Sequence, residues 1–364
     1  MTPIGVGVIG ASPDGGWAAL AHVPALRALP EYDLRAVATS RPESAERAKA
    51  AWGVDAHHDP RRLIERRDID LVVVAVKVPD HYGLITDALT AGKAVFSEWP
   101  LGVALEQAQI LHAEAVVAGV PTVVGLQARF APAIRRMREL VDAGYVGKVL
   151  STNSVGSGMA WAPGAPGAPA AQAYAFDARN GVTTLTVSTA HALDALSYVL
   201  GDISSVTSTL GVGNDTITLD DGSTTTVTSP DQVAVTAQLE SGAVASVFYR
   251  GGLSRAGNLR WEINGTHGDL LLTSPAPNGN IQATELVLAG ANGSATHVEP
   301  IHTHDAHPET GLSGPANTVA NLYRAFAHDQ LLGTAAAPTF GDAVALHRLI
   351  AGIEHVNTES HRKY

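Results

Sequence analysis

The stretch Ala94-Val95-Phe96-Ser97-Glu98-Trp99-Pro100-Leu101 decides how this chain reads. An apolar run ends in an acid, an indole and a proline, and a helix-like segment near 103–118 follows. Similar short apolar runs stand at 4–10, 34–39, 71–76 and 121–127, separated by amphipathic segments near 17–29, 43–52 and 81–92. Continuous apolar strands joined by helical crossovers imply a parallel sheet covered on both faces. The expectation is an α/β chain that opens with a doubly wound Rossmann domain over residues 1–125. Glu98 would then stand at the carboxyl end of a buried strand, where open α/β sheets take their ligands.

Beyond about residue 148 the pattern changes. Residues 232–250 read as two strands turning at Ser241-Gly242, and 259–273 repeat the pattern around Gly265. Helical segments are expected at 131–143, 189–200, 315–329 and 341–357. Residues 126–340 are therefore expected to form an α+β domain with a large, mostly antiparallel open sheet for substrate binding and oligomerisation. Residues 341–364 would be a C-terminal helix and tail packing back on the body. The Pro/Gly/Ala-rich stretch 162–173 is expected to be a surface loop.

Composition narrows the function. With 364 residues, 45% hydrophobic and 16% charged, the chain is globular and long enough for two domains. A net charge of −11 argues against a nucleic-acid backbone as partner. No apolar run spans a bilayer, no export signal opens the sequence, and a cytoplasmic location is expected. The absence of cysteine excludes disulfides and thiolate chemistry.

Two glycine registers compete near residue 10. Gly5-x-Gly7-x-x-Gly10 lies before and within the strand, whereas a dinucleotide loop must follow the strand and open a helix. Gly10-x-Ser12-x-x-Gly15, with Gly16 and Trp17 next, fits that requirement. The second strand ends in Thr39-Ser40-Arg41 with no acid to accept from a ribose diol. Ser40 and Arg41 suit a 2′-phosphate, so NADP is favoured over NAD. The plain alternative for Arg41 is a solvated residue at a helix start.

The order of motifs resembles the Gfo/Idh/MocA oxidoreductases along nearly the whole chain. The resemblance rests on residues 76–101, 125–149, 190–201 and 261–272. Within the family, Ser97–Leu101, Gly125–Pro132 and Asn180–Asp194 look most like the branch of the fungal galactose-pathway repressor and its bacterial relatives. The family pattern carries Glu-Lys-Pro where this chain has Glu98-Trp99-Pro100. By resemblance Glu98 contacts the cofactor ribose, while Trp99 replaces the lysine that approaches nicotinamide and substrate. His191 matches the family's catalytic histidine, but Val187 stands where an aspartate is usual.

An indole cannot carry a proton, so the usual relay reduces to His191 as proton carrier, assisted by Lys77 or water. Lys77 breaks an apolar strand near its end and is read as a catalytic or cofactor residue, or equally as a snorkelling lysine. His81, Trp17 and Gln127 join the expected cofactor set. Trp99, Arg129, Tyr174, Asp177, Arg179 and His191 form the expected substrate set. The run His302, His304, His307 is read as polar surface, and no metal is expected. The functional expectation is an NAD(P)-dependent oxidoreductase for a sugar, cyclic polyol or related carbonyl compound, acting as a homodimer or homotetramer. The alternative is a non-catalytic dinucleotide-binding regulator of the galactose-repressor type.

Overall fold

A computed structural model describes residues 2–158, 170–277, 279–305 and 307–360. The chain forms two compact units, one of Met1–Gln127 with His307–His347 and a second of Ala128–Ala306 with Arg348–Tyr364.

In the first unit, β1 (Ile4–Ile9) runs through the glycine loop and a π-helical turn (Ala18–His22) into α1 (Val23–Ala28). There follow β2 (Tyr32–Ala38), α2 (Pro42–Trp52), β3 (Asp55–His57), α3 (Pro60–Ile64) and β4 (Leu71–Val74). The series closes with α4 (His81–Thr90), β5 (Ala94–Ser97), α5 (Leu105–Ala118) and β6 (Thr122–Val124). The sheet order is β3-β2-β1-β4-β5-β6 and every pairing is parallel. This is the doubly wound order, with its switch point between β1 and β4. The four residues of β4 are wholly buried, which is why that strand reads as an unbroken apolar run. Gly5 and Gly7 serve this packing. A Cβ on Gly7 would lie 2.5 Å from the Leu63 side chain, and one on Gly5 would lie 2.1 Å from the Asp68 carbonyl.

The second unit starts with α6 (Pro132–Asp142) and β7 (Val149–Gly158). After the 3-10 turns Ala170–Phe176 and Ala178–Asn180 come α7 (Ala190–Leu200) and β8 (Ile203–Gly211). A small ribbon of β9 (Thr216–Thr218) and β10 (Thr224–Thr226) precedes β11 (Gln232–Leu239) and β12 (Val244–Gly251). β13 (Leu259–Gly265), β14 (Gly268–Thr273), β15 (Val287–Asn292) and β16 (Glu299–Pro300) complete the strands. The eight-stranded order is β16-β15-β14-β13-β7-β12-β11-β8, antiparallel except for β7 beside β12. The expected hairpins at 232–250 and 259–273 are present. One face is open: Thr207, Thr209, Thr236, Gln238, Val244 and Ser246 are exposed along it.

β7 is central to this sheet although its sequence, Val-Leu-Ser-Thr-Asn-Ser-Val-Gly-Ser-Gly, has the composition of a loop. Pairing on both edges, to β12 and β13, makes it a strand. Of the expected surface loop, residues 162–169 lie outside the described residues, and Ala170–Phe176 is 3-10 helical.

The last helices are α8 (Gly314–Leu332) and α9 (Phe340–Ser360). Residues 307–347, expected with the second domain up to 340, cluster with the nucleotide unit. Polar ties explain the return: the Tyr32 hydroxyl donates to the Tyr323 carbonyl at 2.6 Å, and the Val124 amide donates to Pro338 at 2.9 Å. The end of α9 returns to β8, where Ser208 donates to the Ile353 carbonyl. Among the described residues no helix is long and apolar enough to cross a membrane.

Trp261 of β13 anchors the covered face. It is 1% exposed, and its indole N–H donates to Thr152 Oγ1 of β7 at 2.8 Å. Trp261→Ala should cost about 3–5 kcal/mol, read as a lowered urea midpoint, with Trp261→Phe losing less. A loss below about 1 kcal/mol would remove Trp261 from the core.

Candidate functional site

The carboxyl end of β1 turns sharply at Gly10, whose φ is +94°. A Cβ there would lie 2.3 Å from the Ala75 carbonyl just past β4, so only glycine fits. Gly15 and Gly16 also have positive φ, with open space where side chains would stand. This is the geometry of a loop that lets a phosphate approach backbone amides. The Ser12 hydroxyl accepts from the Asp14 amide at 3.4 Å. Trp17, half-buried, follows the loop, and its indole N–H has no hydrogen-bond partner. At the end of β2, buried Thr39 is tied to Ser44 at 2.8 Å, leaving Ser40 and Arg41 exposed. Lys77, past the end of β4, is exposed too.

Glu98 follows β5. Its Oε1 lies 2.9 Å from Nε2 of His22, and Nδ1 of His22 lies 2.7 Å from the Tyr323 hydroxyl in α8. A carboxylate only accepts, so Nε2 donates to it, and in the neutral ring Nδ1 accepts the Tyr323 O–H. Burial pushes the Tyr323 phenol well above its ordinary pKa and keeps that proton in place. The His22 ring is fully buried, edge-on to Phe96 and Tyr323. Gly125 leaves room below: a Cβ there would lie 2.8 Å from Glu98 Oε1. The carboxylate is thus held from behind while 13% of its side chain stays accessible. Sequence reading missed His22 and Tyr323. A histidine on an otherwise apolar segment was the available signal for the first, and nothing local marked the second.

Two expected cofactor residues are turned elsewhere. His81 is 1% exposed, with Nδ1 3.0 Å from the Pro100 carbonyl and Nε2 3.1 Å from that of Val76. The neutral ring can donate to one of these carbonyls at a time, and His81 ties the turn after β5 to the segment after β4. Trp99 is 6% exposed and packs against His347, with ring centroids 4.6 Å apart and planes tilted by 45°. Burial of this large ring packs the turn after β5. Gln127, buried to 1%, retains an Oε1 with no partner.

In the second unit, His191 of α7 is 3% exposed and its Nδ1 has no partner. Burial pushes its pKa down to about 3, so the ring is neutral at physiological pH. Arg129 is committed to Asp194 through a forked pair, with contacts of 2.6, 2.9 and 3.0 Å, which corrects its reading as a substrate ligand. Asp177 caps the turn 178–180 and pairs with Arg179 at 2.6 Å, leaving that arginine 89% exposed. These two form a local ion pair at a turn. Tyr174 is half-buried on the 3-10 segment, its phenol pushed up by burial. His302 and His304 are exposed, and His307 meets Glu309. Among the described residues no group of three or more His, Asp or Glu could hold a metal ion.

Comparison with known proteins places this geometry. The oxidoreductase-family model with NAD-binding Rossmann fold matches residues 4–126, and the Gal80p C-terminal domain model matches residues 132–274. The chain belongs to the Gfo/Idh/MocA oxidoreductase family, with a second domain of the Gal80p type. Dehydrogenase aclE of Aspergillus oryzae is 34% identical over 179 residues, so the chain spans about half of that relative, 48% of each. The galactose/lactose metabolism regulatory protein Gal80 of Saccharomyces cerevisiae is 27% identical over 98% of this chain and 93% of its own. The crystal structure of a super-repressor mutant of Gal80p from the same yeast superposes with a TM-score of 0.87, at 25% identity, over 99% of this chain and 97% of that one.

The buried neutral histidines set an acid limit on stability. His191 and His347 have pKa values pushed down to about 3 and about 4, below the unfolded value near 6.5. Below pH 6.5 the unfolded chain binds the more protons, so stability falls as pH drops, by about 1.4 kcal/mol per pH unit for each group down to its folded pKa. Urea midpoints measured from pH 7 to 4 should fall less steeply for His191→Gln/His347→Gln than for the native chain. Parallel curves would contradict the burial argument.

Proposed function

We propose that the protein is a cytoplasmic NAD(P)-dependent oxidoreductase acting on a sugar, cyclic polyol or related small carbonyl compound. The observation that carries this reading is the Glu98 carboxylate, held by His22 and Tyr323 at the end of β5, on the same sheet as the glycine turn at Gly10. A nicotinamide dinucleotide fits these residues. Gly10, Gly15 and Gly16 leave backbone bare for pyrophosphate, Glu98 can accept from ribose hydroxyls, and the orphan Gln127 Oε1 can accept from a carboxamide. The bound nicotinamide supplies hydride transfer. Ser40 and Arg41 support NADP as the preferred form.

His191 is the substrate-oxygen ligand in this reading. A buried neutral imidazole donates a hydrogen bond to a developing alkoxide without becoming the acid itself, an arrangement suited to carbonyl reduction. The proton then comes from water or from Lys77, whose ammonium is exposed. The open sheet face, with Val244 and Phe248 among its residues, is assigned to a second copy of the chain. A strict monomer in analytical ultracentrifugation would remove that assignment.

A second reading, a dinucleotide-binding regulator without turnover, is supported by Trp99 in the place of the family's lysine and by the full-length likeness to Gal80. A panel of sugars, polyols and aldehydes, followed at the reduced-nicotinamide absorbance, separates the two. Turnover is expected with at least one carbonyl compound, lowered about 10²-fold or more by His191→Ala. The rate should show no His191 titration between pH 5 and 8. Tight dinucleotide binding with no turnover on the panel would favour the regulator.

A further inference from the structure

The second strand ends without an acid, yet the fold delivers one there from the glycine loop. Asp14 reaches across to α2, where its Oδ1 accepts from Arg47 Nε at 3.1 Å and its Oδ2 from Arg47 Nη2 at 2.5 Å. Ser12 fixes the near side of this link, donating to Asp14 Oδ2 at 3.3 Å. On the far side Arg47 Nη1 donates to the Glu43 carbonyl at 3.2 Å in the first turn of α2. The hydrogen bonds from Arg47 hold the Asp14 carboxyl below its ordinary range. The carboxylate is thus held by the Arg47 guanidinium between the glycine loop and α2, and Arg41 stands at the N-cap of the same helix. In doubly wound folds the adenosine ribose lies between these two segments.

We infer that Arg41 and Arg47 form the subsite for an adenosine 2′-phosphate, and that Asp14 is an internal stand-in for that phosphate which a bound NADP must displace. The inference rests on the dinucleotide-binding reading above and extends it to the residues that discriminate NADP from NAD. The chemistry is a competition between anions for one forked donor. A phosphate monoester carries up to two charges and three acceptor oxygens, against one charge and two oxygens for the carboxylate. Asp14 and Arg47 are each about half exposed, so their pair is weak enough for a phosphate to replace. A dinucleotide with a free 2′-hydroxyl has no such group and leaves the pair intact. Asp14 thus opposes NADP while holding Arg47 ready for it.

The test is calorimetric titration of the full chain with NADP, NAD and the fragment adenosine 2′,5′-bisphosphate. Asp14→Asn, nearly isosteric and on the surface, should tighten NADP and the bisphosphate by about five- to tenfold, with NAD within about twofold. Arg47→Ala should weaken NADP and the bisphosphate by about tenfold or more and leave NAD unchanged. Asp14→Asn that weakens NAD instead would make Asp14 a ribose-hydroxyl acceptor and overturn the inference. So would an NADP-to-NAD ratio that neither variant moves while both dinucleotides still bind. Failure of the native chain to bind any of the three ligands would overturn the dinucleotide reading itself, and the inference with it.

Discussion

A carboxylate at the end of a buried strand needs a fixed partner, and the partner chosen for Glu98 organises the nucleotide unit. His22 meets that need only because Tyr323 satisfies its other nitrogen, and Tyr323 stands 301 residues further along the chain. Three elements that are remote in sequence are therefore joined through one imidazole: the π-helical turn before α1, the residue after β5, and α8. Removing any member would leave a buried polar atom without its hydrogen bond, at a cost of roughly 1–3 kcal/mol. The same link explains why residues 307–347 cluster with the first domain although a long second domain intervenes.

Polar side chains elsewhere follow the same rule, and it reassigns several candidates. Arg129, His81 and Asp177 are each taken by a nearby group with complementary hydrogen-bonding capacity. The buried Asp194 carboxylate left without Arg129 would be an uncompensated charge, so the pair is a structural necessity of α7 and the segment before α6. His191 and Gln127 retain unpaired buried atoms, as His347 does against the indole of Trp99. Unpaired buried acceptors are expensive in folded proteins.

Much of the architecture was legible in sequence because it depends on local periodicity and turn chemistry. The apolar runs that became β1, β2, β4, β5 and β6, the glycine turn at residue 10, and the hairpins at Ser241-Gly242 and Gly265 carry their conformation in their own composition. Glu98 could be placed as well, because its position follows from the end of an apolar strand. β7 could not, since its serines, threonines and glycines become a strand only through neighbours on both edges.

What the sequence determined by itself was the order of the apolar strands of the first unit and where each of them ends, both of which follow from burial pattern and chain connectivity. Which polar atoms remain available at those ends was decided only in three dimensions. Hydrogen-bond partners come from anywhere in the chain: Tyr323 for His22, Asp194 for Arg129, Asp14 for Arg47. The charge state of His191 was likewise a tertiary outcome, because desolvation depends on what surrounds a ring and not on its neighbours in the chain.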